Sequence, residues 1–80
     1  MIRDNNDYYK KIDELVPTLR DEGHIELADK LIEAKSSGFM PTEILGATSL
    51  VLQELLQSEI EYTEIELAIE DLLAYVRKVL

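Results

Sequence analysis

The sequence predicts an all-α fold, a compact four-helix bundle-like single domain spanning residues 1–80. Three observations carry this. Apolar residues recur at spacings of three and four in four separate segments. Helix start and stop residues fall between those segments. The links between them are short, with no repeats or low-complexity runs, and short links make antiparallel neighbours. A hydrophobic fraction of 46% supplies a core.

The first helix carries Tyr8, Tyr9, Ile12, Leu15, Val16 and Leu19 on its apolar stripe. Asp4 to Asn6 offer N-caps, and Asp7 suits the positive end of the helix dipole. Pro17 removes one backbone hydrogen bond, but the stripe continues to Leu19, so a kink is expected rather than a break. Adjacent helical positions diverge by about 100°, so Tyr8 and Tyr9 cannot both point inward. Gly23 fits the left-handed position that closes a helix. The second helix begins near His24 and stops at Ser36-Ser37-Gly38, with Ile25, Leu27, Ala28, Leu31, Ile32 and Ala34 expected in the core.

Pro41 marks the first position of the third helix, expected over residues 41–57. Ile44, Leu45, Ala47, Leu50, Val51, Leu52, Leu55 and Leu56 cover most of its circumference. Only Thr42, Gly46, Ser49, Gln53 and Gln57 form a polar strip, so this helix is expected to be central. Gly46 costs roughly 1 kcal/mol relative to Ala there, acceptable where another backbone packs closely. Thr63 and Glu66 form a capping box, with Tyr62 and Leu67 as the hydrophobic staple. The fourth helix then carries Leu67, Ile69, Leu72, Leu73, Val76, Val79 and Leu80 as its expected core stripe, with Arg77 and Lys78 in its last turn.

The net charge is −9. Phosphate neutralisation needs clustered Lys and Arg, so nucleic acid is excluded as a partner, and an anionic membrane surface is disfavoured. No apolar segment approaches the roughly 18 residues needed to span a bilayer. The N-terminal residues lack a basic start followed by an apolar run, which points to a cytoplasmic protein. With no cysteine there is no disulfide. Between Lys35 and Arg77 the sequence has no Lys or Arg, and six acids fall within thirteen residues: Glu59, Glu61, Glu64, Glu66, Glu70 and Asp71. These are the candidate partner-binding residues, and they call for a basic protein partner. A solvated acidic face is the plain alternative.

No cofactor, metal or catalytic set is expected. His24 is the one histidine, too few for a carboxylate-bridged di-metal bundle or a zinc cluster. Calcium-loop and phosphate-loop patterns are missing, and without cysteine a nucleophile–base pair has almost no candidates. Glu66 and Glu70 share a helix face, but among other acids they read as a solvated polar surface, so a non-enzymatic binder is expected.

The segments Tyr8-Tyr9-Lys10-Lys11-Ile12-Asp13-Glu14-Leu15, Glu22-Gly23-His24-Ile25-Glu26-Leu27-Ala28 and Pro41-Thr42-Glu43-Ile44-Leu45 resemble small helical immunity proteins encoded beside bacterial polymorphic-toxin genes, in contact-dependent growth inhibition systems. The resemblance spans roughly residues 8–57 through weakly specific, helix-forming motifs. It implies a cytoplasmic protein that binds and neutralises the toxic C-terminal domain of a delivered effector, often a nuclease. It supplies no catalytic residues, and the acidic interface is inferred from charge alone.

Two other classes compete. Leu45-Gly46-Ala47-Thr48-Ser49-Leu50 is similar to the Asp-Ser-Leu site where acyl carrier proteins bear phosphopantetheine, with Ser49 as the modified residue. Thr48 stands where the acid belongs, and Ser49 falls in mid-helix. A small scaffold or oligomerisation domain is the other class, since the size and the broadly apolar third helix allow a homo-oligomer.

Overall fold

The computed structural model describes residues 2–58 and 63–80 and contains four helices: α1 (Asn5–Asp21), α2 (Ile25–Lys35), α3 (Pro41–Gln57) and α4 (Thr63–Val79). Each helix packs beside two others, in the cycle α1–α2–α3–α4–α1. Cross-helix pairs show the directions. Arg20 meets Asp29 while Asp13 meets Lys35, so α1 and α2 run antiparallel. The radius of gyration, 11.5 Å, equals the value of about 11.6 Å expected for a well-packed chain of this length.

The local signals act as expected. The Asp4 side chain accepts from the Asp7 N–H at 2.8 Å and caps α1. α1 passes Pro17 without ending. It closes with Gly23 at φ +88°, where the Gly23 N–H donates to the Arg20 carbonyl and the His24 N–H to the Leu19 carbonyl at 2.8 Å. This double bond pattern needs a left-handed residue, and glycine is the residue that takes it without strain. Pro41 sits at the start of α3, after an extended Met40.

The core gathers Tyr8, Ile12, Leu15 and Leu19 of α1 against Ala28 and Leu31, Leu45, Leu52 and Leu55, and Ile65, Ile69, Leu72 and Val76. Each fully buried large side chain contributes about 1.5–3 kcal/mol of hydrophobic stabilisation. One polar contact crosses this core diagonally, the 2.7 Å bond between the Tyr8 and Thr48 hydroxyls. Thr48 Oγ1 also lies 2.7 Å from the Ile44 carbonyl, which can only accept. The threonine proton therefore goes to the helix backbone, and Tyr8 donates to Thr48. Of the adjacent pair, Tyr8 is fully buried and Tyr9 packs partly buried at the core's edge.

Several burial expectations are corrected. α3 is not central: in a ring of four, every helix has a solvent side. Leu50 is 67% exposed on α3, and Leu56 is at the margin of exposure. Ser49, expected on the polar strip, is buried, because its hydroxyl is satisfied by the Gly46 carbonyl at 2.7 Å. Ile25 and Ile32 lie seven residues apart on one flank of α2 and are exposed, while Ala28 and Leu31 enter the core. On α4 the buried stripe is Ile65, Ile69, Leu72, Leu73, Tyr75 and Val76, so Leu67, Val79 and Leu80 fall outside it. Gly46 has no close neighbour: a Cβ there would meet nothing within 4 Å. The staple residue Tyr62 and the Thr63 side chain lie outside the described residues.

Candidate partner-binding surface

α4 is held by its inner face, so its charged residues are displayed by default. At about 100° per residue, the buried stripe from Ile65 to Val76 turns Leu67 and Ala74 directly outward. Leu67 is 55% exposed. The acids flank it. Glu64 and Asp71, seven residues apart, project on the α1 side, and Glu66 and Glu70, four apart, on the opposite flank. All four are exposed. The two pairs are separated by well over a quarter turn, so they do not merge into one dense patch; they border a strip with Leu67 at its centre. Glu59 and Glu61 lie outside the described residues.

The fold alters the charge balance along one border only. Glu64 lines a shallow groove of about 250 Å³ with Lys11, Glu14 and Thr18 of α1, and Asp71 lines its neighbour with Lys10 and Lys11. Cations remote in sequence thus line the same grooves as Glu64 and Asp71, whereas no ion pair among the described residues involves Glu66 or Glu70. Among the described residues the ion pairs are Arg3–Asp7, Arg20–Asp29, Lys35–Asp13 and Lys30–Glu54. None involves an acid of α4. Four of the six cations before residue 36 are therefore engaged elsewhere.

Local roles explain part of this acidity. Glu64 and Glu66 occupy the first turn of α4, where carboxylates are stabilised by the helix dipole. Glu70 and Asp71 lie beyond that turn and have no such local function. Their placement is the part of the acidic surface that helix formation does not require.

No protein-family model, no curated protein and no solved structure matches this chain. Among the described residues, no three acids or histidines converge as a metal site would need, and no helix is long and apolar enough to cross a membrane. His24 begins α2 without a side-chain capping bond. Ser49, the carrier-type candidate, is only 8% exposed, in the middle of α3 with its proton donated to the helix backbone. A modifying enzyme could not reach that oxygen without unpacking α3.

Leu67 is the functional candidate that sequence reading misses. The capping-box pattern assigns it to a staple inside the fold. The signal that could have found it is its position three residues from both Glu64 and Glu70 and four from Asp71, which places it on the charged face.

Proposed function

We propose that this chain is a non-catalytic binding protein that holds a basic protein partner against the outer face of α4. The observation that carries this reading is the exposed Leu67 bordered by Glu64, Glu66, Glu70 and Asp71, none of them ion-paired among the described residues. An apolar anchor supplies contact area that survives salt, and the surrounding carboxylates steer a cationic surface and fix its orientation. Toxin neutralisation is the form of such binding that the sequence resemblance favours: a nuclease cleft carries Lys and Arg for phosphates, and an acidic face complements it. In this reading the partner is the toxic C-terminal domain of a contact-dependent growth inhibition effector, in the cytoplasm of the protected cell.

The test is capture of partners from the native bacterium, read by mass spectrometry, with wild-type protein and with Glu70→Lys/Asp71→Lys. These two positions leave the first turn of α4 unaltered, so helicity by circular dichroism stays constant. The wild type should retain a basic domain that the variant loses. With that domain purified, association should slow by about tenfold or more at low salt, and Leu67→Ala should mainly speed dissociation. Equal capture by both proteins would refute the acidic interface. Capture of a basic domain without toxic activity would retain the interface and remove the immunity reading.

A further inference from the structure

We draw no further inference here: the strongest candidate, the shallow groove between α1 and α4 lined by Leu15, Ile65, Ala68, Glu14 and Glu64, carries nothing, because Lys11 shares it with the two carboxylates and nothing in the structure shows what covers it.

Discussion

Single residues in this bundle carry consequences that composition does not show. Burial raises the pKa of Tyr8 above its ordinary value of 10.0, with the nearby Tyr9 adding to the effect and the bond to Thr48 opposing it. The Tyr75 hydroxyl, which donates to Asn5 Oδ1 at 2.5 Å, is likewise raised, first by burial and then by the neighbouring Asp4, Tyr9 and Asp7. Both groups hold their protons more tightly folded than unfolded. Their contribution to stability is therefore complete below pH 10, the unfolded value, and is lost as pH rises through the folded values. Urea melts between pH 8 and 11 should show stability falling above about pH 10, and Tyr8→Phe should flatten that fall. At neutral pH the same variant should cost about 1 kcal/mol for the lost hydrogen bond. A slope unchanged by Tyr8→Phe would mean that Tyr8 does not contribute to it.

Two glycines, Gly23 just after α1 and Gly46 inside α3, make opposite predictions at the scale of the element. Gly23 holds a positive φ that ends α1, so Gly23→Ala should destabilise by about 1 kcal/mol. Gly46 lies inside α3 with open space beside it, so Gly46→Ala should stabilise the monomer by about the same amount. Chemical denaturation at low protein concentration measures both, and a loss for Gly46→Ala would show that its backbone is constrained. Helix ends were readable from the sequence because they depend on neighbouring residues: Asp4 acts through its side chain on the N–H of Asp7, and Gly23 and Pro41 act through their own backbones. Depth was not. Periodicity identifies a face, but how far a face is covered depends on how neighbouring helices sit, which is why Ile25, Leu50 and Leu67 emerge at the surface. The candidate site divides in the same way. That Glu70 and Asp71 lie within a turn of Leu67 is a property of sequence; that Leu67 is exposed, and that Lys11 stands beside the edge formed by Glu64 and Asp71, arises only when the helices pack.

For the whole molecule, the charge is distributed so that α1 and α2 are each nearly balanced and pair across their seam, while no acid of α4 is ion-paired among the described residues. The exposed ion pairs Arg20–Asp29 and Lys35–Asp13 contribute little each, whereas a net charge of −9 repels itself at every distance shorter than the screening length. Raising salt from about 0.01 to 0.15 M shortens that length from about 30 to 8 Å. The melting temperature should therefore rise with salt, measured on the isolated monomer. A fall would mean that the ion pairs outweigh the repulsion. The same screening should slow capture of a basic partner, so salt is expected to move folding and binding in opposite directions.

The hydroxyl pair inside the core has a wider meaning than its one bond. Amphipathic helices packed in a ring can be slid past each other by a turn while still hiding their oily sides. Leucine is nearly indifferent among these arrangements. Tyr8 and Thr48 are not: their oxygens meet only when the first and third helices sit diagonally at one height. In a bundle slipped by a turn the tyrosine hydroxyl would be sealed away from water without that acceptor, at a penalty of about 1–3 kcal/mol. The pair works less as a brace for the correct register than as a fault built into the slipped ones.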